Sequence, residues 1–431
     1  MAHEEPQVTD PSTKRRTVKG VSDTAERPDS TPLLQPRDGV PPVVDTETAL
    51  TETIRSLAGG TGPLAVDAER ASGYRYGQRA YLVQVRRAGA GTALIDPVAC
   101  PDLTGLDTAA TDAENVLHAA GQDLPCLAEL GFKPRTLFDT ELAGRLLGYQ
   151  RVGLQTMVDI LLGLALEKGH SAVDWSSRPL PVEWLRYAAL DVEVLVELRD
   201  ILERELHLAS KLEWAREEFA AIAAAPPPKP RSDPWRRTSG IHRVRTRRGL
   251  AAVRELWRAR DRVARERDLS PGRVLGDSAI VESATAMPRS PAELAKLAGF
   301  AGRGARRYVS TWFGALAHAR KLPEDELPEP SAPADGPPPA NRWAERDPVA
   351  AQRLSATRAA VTALAERHTM PAENILAPDT VRRLAWTPPK ELSVQAISAE
   401  LAGYGARSWQ VELTAAVLAS ALQQARKESG S

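Results

Sequence analysis

Cysteine is scarce in this 431-residue chain, with Cys100 and Cys126 the only two. They offer neither a disulfide framework nor a metal-binding spacing. Cys126 opens an apolar helical segment and reads as a small buried residue. The seven histidines are scattered and make no zinc motif; His118 reads as packing at a strand end. No apolar stretch approaches membrane-spanning length, and the N-terminus lacks the apolar core of a secretory signal, so a cytoplasmic location is expected. There is no GxxxxGK[ST] phosphate loop, which excludes a nucleotide-driven motor of that type. Net charge is absent too, because 56 Lys and Arg balance 56 Asp and Glu. A neutral total leaves a nucleic-acid partner open, since the distribution of charge decides that. Residues 229–267 hold fourteen basic residues against four acids, and Arg243, Arg245, Arg247 and Arg248 lie in the densest part. They read either as a phosphate-tracking strip or as a solvated linker and helix face.

What the chain does have is a set of acids placed beside apolar segments. The run Leu64 to Val66 leads straight into Asp67-Ala-Glu69. That pattern predicts a buried strand whose end presents both carboxylates on one face, because residues two apart on a strand point the same way. Asp123 follows VLHAAGQ. Tyr187 and Asp191 sit four apart in a helical pattern opened by Pro181 and so share a helix face. Converging carboxylates repel one another unless cations lie between them, and two divalent ions would remove the repulsion while supplying chemistry on a phosphodiester. Each motif alone reads as readily as a solvated turn or an exposed pair; order, spacing and flanking sequence together carry the case.

Residues 1–42, rich in Pro, Thr, Ser, Asp and Lys, read as a disordered tail. A globular α/β domain is expected over 43–224, with strands near 64–69, 80–86, 92–96, 114–118 and 136–138. A Pro/Arg-rich linker is expected over 225–245 and a Pro/Ala-rich one over 322–349, around helical units at 246–321 and 350–425. The two units repeat at a period of about a hundred residues, the size of a small domain. Pro271 to Ser278 recurs as Pro371 to Thr380, and Gly302-Arg303-Gly304-Ala305-Arg306 matches Gly403 to Arg407. The turn at Gly302, Arg303 and Gly304 reads equally as a phosphate cradle of backbone N–H groups or as a tight helix–helix turn. Trp175 reads as a packing residue and Arg178 slightly more as a structural partner than a phosphate ligand. Tyr74, Tyr76 and Gln78 lie in a loop where a terminal nucleotide could stack.

The segments VDAERASGYRYGQRAYLVQV, HAAGQDLPCL, LFDTELAGRLLGY, DWSSRPL and LRYAALDVEVL resemble the catalytic domain of ribonuclease D, in the tyrosine-type branch of the DEDD 3′→5′ exonucleases. Both helical units resemble the HRDC domain. The resemblance implies a ribonuclease H-like exonuclease domain followed by two small all-α HRDC-like domains. It implies metal ligation by Asp67, Glu69, Asp123 and Asp191, with Tyr187 orienting the attacking water. It further implies two Mg²⁺ or Mn²⁺ ions, nucleoside 5′-monophosphate products, and an RNA substrate with a free 3′ end, single-stranded or transfer-RNA-like. A 3′→5′ DNA exonuclease of the same superfamily and an inert nucleic-acid-binding scaffold stand as alternatives. Since every metal-ligand acid precedes the first linker, the C-terminal half is expected to grip substrate and to be separable from the chemistry.

Overall fold

A computed structural model describes residues 30–167, 169–170, 172–227, 231–331 and 336–429. The strands are β1 (Thr31–Leu33), β2 (Val43–Val44), β3 (Thr61–Arg70), β4 (Ala80–Ala88), β5 (Gly91–Ile95), β6 (Asn115–Leu117), β7 (Leu137–Asp139) and β8 (Leu164–Leu166). One mixed sheet has the order β2-β5-β4-β3-β6-β7. β3, β4 and β5 form an antiparallel meander, whereas β6 and β7 run parallel to β3. The expected strands are all present.

The helices of this domain are α1 (Glu47–Ala58), α2 (Thr104–Ala109), α3 (Leu124–Glu129), α4 (Thr140–Leu147), α5 (Leu154–Leu162), α6 (Val182–Glu193), α7 (Leu195–Leu208) and α8 (Leu212–Ala223). Strand alternation divides the sheet into two faces. Val83, Val85 and Ile95 point into the main core, while Leu82 and Leu94 pack with Trp175, Ala188 and Ala189 beneath α6. Asp67 pairs with Gln84 and Glu69 with Leu82. Directly opposed residues share a face, so both acids lie on the side covered by α6.

Residues 30–42 depart from the expected tail. β1 adds in parallel to β8, Ser30 bonds Asp159, and Arg37 pairs with Glu197 and Glu193. Backbone pairing and the buried Glu193 carboxylate supply ordering energy that composition did not reveal. Residues 1–29 of that tail lie outside the described residues.

The first helical unit contains α9 (Arg247–Arg267), α10 (Pro271–Val274), α11 (Asp277–Ala286), α12 (Pro291–Ala295), α13 (Arg303–Arg307) and α14 (Val309–Lys321). The second contains α15 (Trp343–Arg346), α16 (Pro348–His368), α17 (Ala372–Ile375), α18 (Pro378–Trp386), α19 (Val394–Gly403) and α20 (Ser408–Ser429). The repeat extends to backbone conformation. α9 and α16 end on Asp268 and Thr369, both at φ 48°, and Leu275 and Leu376 then sit at φ −155° and −157°.

Each of the two expected linkers, among its described residues, anchors a few side chains in a domain core. Trp235 and Leu327 are buried in the first helical core and Trp343 in the second. The second unit is also no separable bead, because its core is continuous with that of the α/β domain. Trp214 stacks on Trp409 with ring centroids 4.8 Å apart, and Trp409 Nε1 donates to Glu218. The buried Lys211 ammonium donates to the carbonyls of Leu146 and His368, both at 2.6 Å. Gly148, at φ +86°, brings its backbone against Thr369, where an added Cβ would meet the carbonyl oxygen at 2.2 Å. The expected separability of the C-terminal half is therefore corrected. Trp409→Ala should cost about 3–5 kcal/mol, as for other buried tryptophans, read as a lowered urea midpoint of the full chain. Ending the chain after Ala225 should abolish the cooperative transition, which a thermal melt by circular dichroism checks.

Candidate active site

Carboxylate oxygens of Asp67, Glu69 and Asp191 lie within 4.8 Å of one another. The register shift in β3 between Glu69 and Arg70 bends the strand end at this point. Asp191 comes from α6, in its buried segment Ala188 to Glu193. One turn earlier, the Tyr187 hydroxyl faces the Asp191 carboxylate closely enough for each to perturb the other. Asp123 stands at the N-terminus of α3, buried, with its carboxylate 3.3 Å from the Arg70 guanidinium.

Electrostatics set the character of the cluster. Burial pushes Asp67, Glu69 and Asp191 above the ordinary carboxylate range. Negative neighbours add to this for Glu69 and Asp191. Asp123 is raised to about 8, first by burial and then by Asp67, with Arg70 opposing. Burial and then Asp191, Glu69 and Asp67 also push the Tyr187 phenol up, so without cations it holds its proton at neutral pH. An open cavity of about 310 Å³ borders the cluster at Glu69, lined also by Arg70, Ser72, Gly73, Tyr74 and Val173 among others.

Two positions that sequence reasoning passed over bear on the site. Asp139 accepts from the N–H groups of Ala119, Ala120, Glu141 and Leu142, and so fixes the turn that delivers Asp123. Its place at the start of a predicted helix was the available signal. Gln84, opposite Asp67, is fully buried with both amide atoms unpartnered; nothing in a strand-like VQV distinguishes it.

The other expected residues resolve as follows. Arg178 pairs with Asp96 at 2.6 and 2.8 Å and donates to the backbone carbonyls of Trp175, Ser177 and Tyr81, so it is structural, and Trp175 is fully buried. His118 bonds Thr140 and is lowered to about 4 by burial. Arg247 and Arg248 are turned inward onto the 322–329 segment, reaching carbonyls of Leu327 and Leu322 and the side chains of Glu329 and Glu324. Arg243 and Arg245 are exposed. Gly302 only caps the five-residue α13, and Gly304 backs onto the Arg273 carbonyl, 3.3 Å from where a Cβ would sit. Close helix packing accounts for that glycine.

Sheet, helices and acid cluster together define a 3′→5′ exonuclease domain. Residues 41–207 match a family model described as 3′-5′ exonuclease, 249–316 an HRDC model, and 336–422 a model described as 3′ to 5′ exonuclease C-terminal domain. The chain is 32% identical over 342 residues to ribonuclease D of Acidiphilium cryptum, covering 74% of this chain and 84% of that protein. It is 31% identical to ribonuclease D of Escherichia coli over 296 residues, 66% of this chain and 76% of that one. Among solved structures, a protein from Bifidobacterium adolescentis superposes with TM-score 0.84 and 40% identity, over 91% of this chain and all (100%) of that one. Escherichia coli RNase D, described as an exoribonuclease involved in structured RNA processing, superposes with TM-score 0.65 and 27% identity, over 89% and 98%. The chain belongs to the ribonuclease D family and is a 3′→5′ exoribonuclease.

The raised acids give a stability test with a definite sign. Asp123 ionises near its ordinary 3.8 when unfolded but near 8 in the cation-free fold. The folded state therefore loses stability as pH rises from about 4 to about 8. Asp123→Asn, which cannot ionise, should melt several degrees above wild type at pH 8 in EDTA, since each kcal/mol is roughly 2–4 °C. The difference should vanish near pH 4, as differential scanning fluorimetry across pH would record.

Proposed function

We propose that this exoribonuclease trims the 3′ ends of structured RNAs, transfer-RNA precursors among them, one nucleotide at a time with two divalent cations and release of nucleoside 5′-monophosphates. The observation that carries this reading is the trio of carboxylates within 4.8 Å, Glu69 and Asp191 buried and Asp67 half-buried, mutually repelling, with Glu69 on the wall of an open cavity. An all-oxygen, all-anionic donor set fits hard cations such as Mg²⁺ or Mn²⁺. Asp67, Glu69 and Asp191 would hold one, and Asp67 with Asp123 a second. Bound there, such cations stabilise the charge that develops on the phosphoryl group and leaving oxygen during in-line displacement.

The chain's own groups do the rest. Tyr187, facing Asp191 and protonated, orients the attacking water against the last phosphodiester. The water oxygen bonds to phosphorus as the bond to the preceding 3′-oxygen breaks, and the proton that the water gives up ends on that oxygen, the hydroxyl of the new RNA end. The cavity between Glu69 and Tyr74 takes the terminal nucleoside. Exposed Arg243 and Arg245 offer phosphate contacts farther along the strand. The hundred-residue conformational repeat supports a second, diverged HRDC-like unit at the C-terminal end.

A 3′-extended transfer RNA incubated with the protein should shorten stepwise with Mg²⁺ and stay intact in EDTA. Faster digestion of a matched DNA strand would overturn the RNA assignment. Asp67→Asn and Asp191→Asn should each lower the rate about a thousandfold or more, and Tyr187→Phe roughly a hundredfold or more, in single-turnover assays. Each phosphate contact removed by Arg243→Ala or Arg245→Ala should flatten the slope of log affinity against log salt by about 0.7.

A further inference from the structure

The loop that follows the first acid motif is held from outside by the first helical unit. Tyr76, between β3 and β4, packs into the core of that unit. Its hydroxyl donates to Asp261 at 2.9 Å and accepts from Arg265 at 3.1 Å, and its backbone N–H donates to the Asp268 carboxylate at 3.3 Å. Ser270 N donates to the Tyr74 carbonyl at 2.9 Å, and Arg273 Nε to the Gly73 carbonyl at 2.8 Å. The Arg273 guanidinium also lies 4.1 Å over the Tyr74 ring. Arg75 and Arg79 reach Asp268 at 3.9 and 3.6 Å. The same stretch is held from the other side, since Tyr74 packs against the cluster beneath α6 and Arg75 donates to Ser176 at 2.7 Å.

This loop forms one wall of the active-site cavity, because Ser72, Gly73 and Tyr74 line it together with Glu69. Five residues of the helical unit (Asp261, Arg265, Asp268, Ser270 and Arg273) thus act on the backbone and rings that shape the nucleotide pocket. A surface evolved only to grip phosphate would not set Asp261 and Asp268 there, since both carboxylates repel RNA. Their partners are a phenol, an amide and arginines of the same chain. That is the chemistry of a joint.

We propose that the first helical unit is a positioning element of the active site. Through the Tyr76–Asp261–Arg265 and Arg273–Gly73–Tyr74 contacts it fixes the wall that seats the terminal nucleoside, so turnover depends on it even when the RNA is too short to reach any helical surface. This rests on the exonuclease reading above. Misplacing a positioning group by about 1 Å costs on the order of a hundredfold in rate, and loosening this wall acts through the same loss of orientation.

The test uses the full chain and a diribonucleotide, beside a long single-stranded RNA. Tyr76→Ala, Asp261→Ala and Arg273→Ala should each lower kcat on the dinucleotide by about ten- to a hundredfold. Mn²⁺ affinity by calorimetry should stay at the wild-type value, because the acids are untouched. Asp261→Asn keeps an acceptor for the Tyr76 hydroxyl and should recover most of the rate. Asp261→Ala also removes a negative charge, so a unit that only grips RNA would leave kcat unchanged and bind long RNA as tightly or more so; that result overturns the proposal. Amide hydrogen exchange tests the joint without catalysis: residues 71–79 should exchange faster in Tyr76→Ala and Asp261→Ala while α6 and α7 do not. Wild-type exchange rates there in both variants would also overturn it. A wild-type protein that fails to cut the dinucleotide with Mg²⁺ counts against the exonuclease reading, and the exchange result still decides the joint.

Discussion

Four carboxylates crowded at one end of a sheet, three buried and Asp67 half-buried, are the constraint on which the rest of the structure turns. Asp67, Glu69 and Asp191 have oxygens within 4.8 Å, and Asp123 is raised to about 8 by burial and by Asp67. Without compensating positive charge such a cluster opposes its own fold. The surrounding architecture resists that repulsion. β3 sits between β4 and β6 in the sheet, α6 is clamped over it by Trp175, Ala188 and Ala189, and Asp139 holds the Asp123 turn through four backbone N–H groups. The same repulsion suits the cluster to hold cations.

The helical units extend this logic outward by different means. The second shares a continuous apolar core with the catalytic domain, sealed by the Trp214–Trp409 stack and the Lys211 ammonium between two carbonyls. The first keeps its own core and meets the catalytic domain through hydrogen bonds and ion pairs around Tyr76. Apolar fusion suits a permanent join. A polar joint next to the cavity can set a loop without merging two cores.

Much of this was legible in the chain because the periodicities are strong. The run Leu64 to Val66 into Asp67 and Glu69 specified a strand with both acids on one face, and the four-residue spacing of Tyr187 and Asp191 specified a shared helix face. The hundred-residue repeat was visible in Pro271 and Pro371 and in Gly302 and Gly403, and it persists in the matching turns at Asp268 and Thr369. What was illegible depends on distant partners. β1 is three residues long and exists because β8 pairs with it. Trp235 and Trp343 sit in Pro-rich surroundings that read as linkers until the cores receiving them are known. Arg247 and Arg248 look like a basic strip because sequence does not show that the segment at 322–329 takes up their hydrogen bonds.

The sequence by itself determined which residues carry the chemistry and on which elements they ride, because local spacing dictates which way a side chain points on a strand or helix. Only the tertiary structure decided that these elements converge, and that the helical units lean on the catalytic domain. Convergence is a property of long-range packing: β3 and α6 are more than a hundred residues apart, and α6 is held on the sheet through a cluster that includes Leu82 of β4, Leu94 of β5, Trp175 and Ala188. The same holds for charge. Whether an arginine faces solvent, as Arg243 and Arg245 do, or a carbonyl of its own chain, as Arg248 does, depends on where the segment after α14 runs, and no local pattern encodes that path.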